Sequence, residues 1–182
     1  MAWTFYLVVA LAGGLWIGIA RRGPIPLSLF VSPRGWWLDL GAGLAAGLAL
    51  WAVWQLGRRS LPAARDLEGR LAALLGPITT SEAIALALLS GFAEELFFRG
   101  AVQAAVGWIP ATLLFALLHT GPGRAFRLWT VFALVAGLLL GALMLWRGNL
   151  LAPVTAHALV NGINLRQLGR VAARERASAQ DV

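Results

Sequence analysis

The chain has 182 residues, of which 59% are hydrophobic and only 13% charged, and its mean hydropathy is +0.76. Soluble domains carry about 25% charged residues, so this composition excludes an ordinary soluble enzyme and predicts one membrane-embedded domain. The formal charge of +7 does not point to nucleic acid, because the arginines are scattered between apolar segments and form no basic face. Zero cysteines exclude disulfides, a thiol nucleophile and any Cys-based metal site.

In chain order, the first apolar segment covers residues 2–20 and is long enough to cross a bilayer at about 20 residues per span. It has no basic stretch before it and is followed by Arg21 and Arg22, which reads as a retained span and not a cleaved leader. Pro24, Pro26 and Pro33 predict a loop, after which Trp36 and Trp37 mark an interfacial belt opening a second span to about Gly57. Gly43 and Gly47 give that span a small-residue face suited to close helix packing. Residues 58–76 interleave arginines and acids with Leu67, Leu71, Leu74 and Leu75 at helical spacing, so an amphipathic interfacial helix is expected. Thr79-Thr80-Ser81-Glu82 then forms a capping box that starts a third span, assigning Glu82 to structure.

The third span should run to about Ala105, the fourth over 110–119, the fifth over 128–146 and the sixth over 150–165. A polar tail follows Arg166, and Gly137 with Gly141 gives the fifth span a small-residue face of its own. The reading is an all-α polytopic bundle of about six spans. Residues 1–78 supply N-terminal helices and the interfacial segment, 79–165 a core and 166–182 the tail.

Four ionisable groups fall within the apolar segments: Glu94, Glu95, His119 and His157, the last two being the only histidines. A carboxylate near the bilayer centre costs roughly 2.5–3.5 kcal/mol on insertion scales, so such groups face a bundle interior or wet cavity and mark function. The Gly107-Trp108-Ile109-Pro110 break lies midway between Glu94 and His119 in sequence. A hairpin there places both side chains roughly 18 Å from the turn at 1.5 Å per residue. From Leu150, the same rise brings His157 to roughly 10 Å and Asn161 to roughly 17 Å, four residues apart and on one face pointing at the carboxylate. Arg99 lies at i+4 from Glu95 and is expected to neutralise it. Glu94, about 100° away around the helix, is left as the reactive group. A general base assisted by His119, with His157 and Asn161 holding an oxyanion, implies water-driven acyl cleavage.

The string Glu94-Glu95-Leu96-Phe97-Phe98-Arg99-Gly100 resembles the EExxxR motif of the CPBP (Abi) intramembrane proteases. Phe115-Ala116-Leu117-Leu118-His119 resembles their FxxxH motif, and His157-Ala158-Leu159-Val160-Asn161 their HxxxN motif. That family includes type II CAAX prenyl endopeptidases, bacteriocin-processing and bacteriocin-immunity proteins, and relatives of lysostaphin resistance protein A. The resemblance covers residues 79–165 and implies a helical membrane fold in a bacterial plasma membrane, with endopeptidase activity on a membrane-bound peptide or protein substrate. It implies a catalytic site of Glu94, Glu95, His119, His157 and Asn161, with Arg99 and Phe115 supporting. No cofactor is expected. Two alternatives are a zinc-dependent version with Glu94, His119 and His157 as ligands, and a non-catalytic scaffold or immunity protein.

The loops divide the arginines unequally. Arg58, Arg59, Arg65, Arg70, Arg124, Arg127, Arg166, Arg170, Arg174 and Arg176 lie on one side, against Arg21, Arg22, Arg34 and Arg147 on the other. This bias puts both termini in the cytoplasm and the turn at Gly107 outside. Taken with the 18 Å depth, it stands against the cytoplasmic access to the site that the resemblance implies.

Overall fold

A computed structural model describes residues 2–33 and 35–179. Arg34 and residues 180–182 of the predicted tail lie outside the described residues. The described chain is all helical: α1 (Ala2–Arg21), a 3₁₀ turn at Leu27–Leu29, α2 (Trp36–Ser60), α3 (Pro62–Leu75) and α4 (Thr80–Glu95). A π-helical segment, Leu96–Val102, continues α4 into α5 (Gln103–Val106), and α6 (Trp108–Leu118), α7 (Gly123–Arg147) and α8 (Leu151–Ser178) complete the bundle.

Local signals start and stop these helices as the sequence requires. Glu82 donates its backbone N–H to the Thr79 hydroxyl at 3.2 Å, and its carboxylate accepts from the Thr79 N–H at 2.8 Å, completing the capping box of α4. Pro62 opens α3, where its missing N–H costs nothing. Gly148 ends α7 in the left-handed conformation, with a φ of +69° that glycine adopts without steric penalty.

Each of the six apolar segments of the sequence is a helix. By length and composition α1, α2 and α7 can each cross a membrane, and α3 with α4–α5, bent by 102°, makes a fourth if counted as one span. The 11-residue α6 is shorter, and α8 is apolar only in its first half. Exposed side chains such as Leu11, Leu15, Ile19, Leu117 and Leu118 give the bundle an apolar exterior suited to lipid.

One expectation is corrected. The polar segment after Arg166 does not leave the fold: α8 continues unbroken to Ser178, because Gly169 seats on Ile78 and Ala172 is buried. In α3, Leu74 is 78% exposed, while the buried positions include Ala64, Leu67, Glu68 and Ala72. Glu68 can turn inward because Arg58 donates to it at 2.9 Å and Gln167 of α8 donates to its other oxygen.

Glycines set how closely the helices approach. A Cβ on Gly43 would lie 2.6 Å from the Ala152 carbonyl oxygen, and one on Gly47 would lie 2.8 Å from that of Ala156, so α2 packs backbone to backbone on α8. Gly91 brings α4 equally close to α8, with a Cβ there 3.0 Å from the Ala158 nitrogen. At the far end of the bundle, fully buried Asp39 of α2 accepts from Arg147 and, at 3.0 Å, from Asn149, tying α2 to the α7–α8 turn.

Because those close contacts are with backbone that cannot swing aside, Gly43→Ala should lower stability by about 1–3 kcal/mol through overpacking. Gly41→Ala, where a Cβ meets nothing within 4 Å, should be neutral or gain up to about 1 kcal/mol of helix propensity. Paired thermal melts in detergent would test this; equal melting temperatures for the two variants would contradict the α2–α8 packing described here.

Candidate active site

Glu94 and Glu95 are the last two α-helical residues of α4, and the widened helix begins at Leu96. The Gln103 N–H reaches the Phe98 carbonyl, five residues back, which is the π-helical bond. Adjacent residues differ by about 100° around a helix, so the two carboxylates face different surroundings.

Glu95 is fully buried. Arg99 Nε stands 3.1 Å from its Oε2, Arg99 Nη1 donates to Oε1 at 3.2 Å, and His157 Nδ1 donates to Oε1 at 2.7 Å. Arg99 has further support. Its Nη2 donates to the Gly137 carbonyl at 3.4 Å, and its guanidinium lies 4.6 Å from the Phe115 ring centroid. Gly137 makes this possible: a Cβ there would lie 3.0 Å from Thr112 Cγ2 and 3.7 Å from Arg99 Nη2. Phe115 thus packs on both partners of Glu95, with its ring 6.2 Å from His157 and edge to face.

Glu94 faces a cavity of about 370 Å³ that also reaches Ser90, His119, His157 and Asn161. Its Oε2 is 3.9 Å from His119 Nε2, an ion-pair distance and not a hydrogen bond. His119 Nδ1 lies 2.8 Å from the Phe115 carbonyl oxygen. A carbonyl can only accept, so Nδ1 carries a proton, and Nε2 is the ring nitrogen that faces Glu94 and the cavity. Trp129 stands edge to face on the imidazole at 5.2 Å, and Phe115 lies on its other side at 4.4 Å.

Asn161 follows His157 by one turn of α8, and its Nδ2 donates to Ser90 Oγ at 3.1 Å. Ser90 in turn donates to the Ala87 carbonyl at 3.3 Å, which orients its lone pair toward Asn161.

The structure brings Glu94, Glu95, Arg99, Phe115, His119, His157 and Asn161 together, and one expectation changes in detail. His157 and Asn161 share a face, but His157 is bonded to Glu95 and Asn161 to Ser90, so neither meets Glu94 directly. The reason is depth. The fully buried Glu95 needs a second cationic or donor partner, and His157 is the donor within reach. Sequence reasoning also passed over Ser90 and Tyr6, both of which line the cavity. Ser90 was recognisable as a hydroxyl one turn before Glu94 on the same helix face, and Tyr6 as the single phenol of the chain.

Residues 76–163 match the family model of type II CAAX prenyl endopeptidase Rce1-like proteins. This matched segment, just under half of the chain, is similar to that family. Every residue of the three motifs falls inside the matched segment, whereas α1, α2 and α3 lie before it. An uncharacterized Bacillus subtilis (strain 168) protein, YpbD, is 42% identical over 82 residues, which is 44% of this chain and 42% of YpbD. The match thus spans less than half of that relative. No solved structure matches the chain.

Within the matched segment, Arg99→Ala leaves the Glu95 carboxylate buried with His157 as its remaining partner. Breaking a buried pair costs about 3–5 kcal/mol, so the variant should show a marked fall in melting temperature. A melting curve within a degree or two of wild type would mean that Glu95 does not depend on Arg99.

Proposed function

We propose that the protein is an intramembrane endopeptidase of the glutamate and histidine type, acting on a membrane-associated peptide in a bacterial plasma membrane. The observation that carries this reading is the facing of Glu94 Oε2 and His119 Nε2 at 3.9 Å across a cavity whose wall also holds His157 and Asn161. A water between Glu94 and His119 would give its proton to this pair as its oxygen attacks the scissile carbonyl carbon. The oxyanion that forms would accept from His157 Nε2 and Asn161 Nδ2, with Glu95 balancing charge on the imidazole through Nδ1. Collapse of the intermediate would break the carbon–nitrogen bond while the abstracted proton passes to the leaving amine.

Beyond the polar groups the cavity is walled by Trp54, Leu67, Leu71, Phe132, Leu165 and Leu168, which suits a peptide with a bulky apolar or prenylated residue. The same walls bear on access. Leu67, Leu71, Leu165 and Leu168 belong to α3 and the second half of α8, at the arginine-rich end of the bundle. A site roughly 18 Å from one face of a hydrocarbon core about 30 Å thick is nearer the other face. The charge bias and a cytoplasmic approach therefore agree.

The zinc alternative, with Glu94, His119 and His157 as ligands, differs from the water mechanism in that a chelator would abolish turnover. The scaffold alternative would need the bundle and not the Glu94 carboxylate.

The test uses quenched fluorescent peptides, one with a farnesylated cysteine and one without, presented to detergent-solubilised protein. Glu94→Gln should reduce turnover by at least about 100-fold, the low end for loss of a general base. Its melting temperature should stay level or rise, since a neutral amide is cheaper to bury than a charge. Unchanged turnover in this variant would remove Glu94 from the mechanism. A chelator should leave wild-type turnover intact; stoichiometric zinc whose removal reversibly abolishes cleavage would replace the proposed mechanism with the metal one.

A further inference from the structure

Helix α1 lies wholly before the segment that matches the family, yet it enters the site. A Cβ on Gly13 would lie 2.9 Å from Phe97 Cα, and one on Gly100 would lie 2.9 Å from Ile17 Cδ1. Position 13 thus meets 97 and position 17 meets 100, so α1 runs parallel to α4 and its π-helical continuation with an offset of 83 or 84 residues. Continuing that register toward the N-terminus brings Tyr6 level with Ser90, one turn before Glu94. Helical side chains lean toward the N-terminus of their own helix, which directs the Glu94 carboxylate back to that same level. Tyr6 and Glu94 accordingly line the same cavity.

The chemistry of the two groups is complementary. Glu94 Oε2 is buried and has no hydrogen-bond partner among the described residues. His119 does not fill this role, since its Nε2 stands 3.9 Å from Oε2, beyond hydrogen-bond distance. A phenol is a donor that can satisfy a buried carboxylate without adding charge. On a helix whose neighbouring side chains are otherwise apolar, this one hydroxyl would itself be costly to bury without a partner.

We propose that Tyr6 is a positioning residue of this site, donating its hydroxyl hydrogen to the Glu94 carboxylate and fixing the rotamer in which Glu94 faces His119. The inference rests on the protease reading for its consequence but not for its contact. It makes α1 part of the active site, so the matched core alone lacks one of the groups that hold its base in place. A free carboxylate would sample orientations in which a water held by His119 is out of reach, and turnover would fall without loss of substrate binding.

The chain holds one tyrosine, so labelling full-length protein with tyrosine carrying ¹³C at the phenolic carbon gives one resonance assigned without ambiguity. That resonance should move between wild type and Glu94→Gln in the same detergent, because the acceptor changes from a carboxylate to an amide. In the farnesylated-peptide assay, Tyr6→Phe should lower kcat by about 10-fold with KM within about twofold, and should leave the melting curve near wild type. A resonance that does not respond to Glu94→Gln, or a Tyr6→Phe variant with wild-type kcat, would overturn the proposal. A resonance that moves in a wild-type chain without hydrolytic activity would instead sink the protease reading and leave the Tyr6–Glu94 hydrogen bond standing.

Discussion

The rest of the site depends on one buried charge, that of Glu95. A carboxylate shielded from both water and lipid carries a desolvation cost of several kcal/mol that only well-placed partners offset. Here two elements distant in sequence supply them: Arg99, one turn along the same strand of helix, and His157 from α8. Meeting that requirement fixes the rotation of α4 about its axis and the depth at which α8 packs on it. Once both are fixed, Glu94 has only one direction to face. The cavity is a consequence of where Glu95 must go.

Glycine is what lets this arrangement close. Arg99 is long, and its guanidinium needs a place in the core where it can bond a carbonyl and lie on an aromatic ring. The missing side chain of Gly137 opens α7 at that point, and the same carbonyl also accepts from Thr112 at 3.2 Å. Gly141, one turn on, admits Trp108 and Gln103, where a Cβ would stand 2.4 Å from the indole. A small-residue face in a membrane helix is commonly a surface for another helix backbone. In α7 it is instead a row of sockets for polar side chains, while in α2 the same spacing serves backbone contact with α8. One sequence pattern supports two kinds of packing, and what decides between them is the size of the side chains that arrive from the other helix.

The π-helical segment stands directly after the two glutamates. Its wider turn lets Leu96, Phe98, Arg99, Gly100, Ala101 and Val102 all be buried in succession, which a regular helix with one buried stripe does not allow. Burial all round requires neighbours on every side. These are α1 through Gly13 and Ile17, α6 through Phe115, and α7 through Gly137. The segment that carries Arg99 is therefore enclosed by three other helices.

Much of this was legible in the sequence, for a definite reason. A charge among apolar residues is costly, so Glu94, Glu95, His119 and His157 identified themselves by position alone, and the 1.5 Å rise per residue placed them at matching depths. The i,i+4 spacing gave the Glu95–Arg99 pair, and the capping box gave the start of α4, because both are local interactions set by helix geometry. What the sequence could not decide was which side chain faces which across helices. That His157 meets Glu95, that Asn161 meets Ser90, that Glu68 turns inward and that Tyr6 reaches the cavity all depend on helix rotation and close approach. These are fixed only when glycine contacts and buried charges are satisfied together. Depth along a helix follows from counting residues; direction around it belongs to the packed bundle.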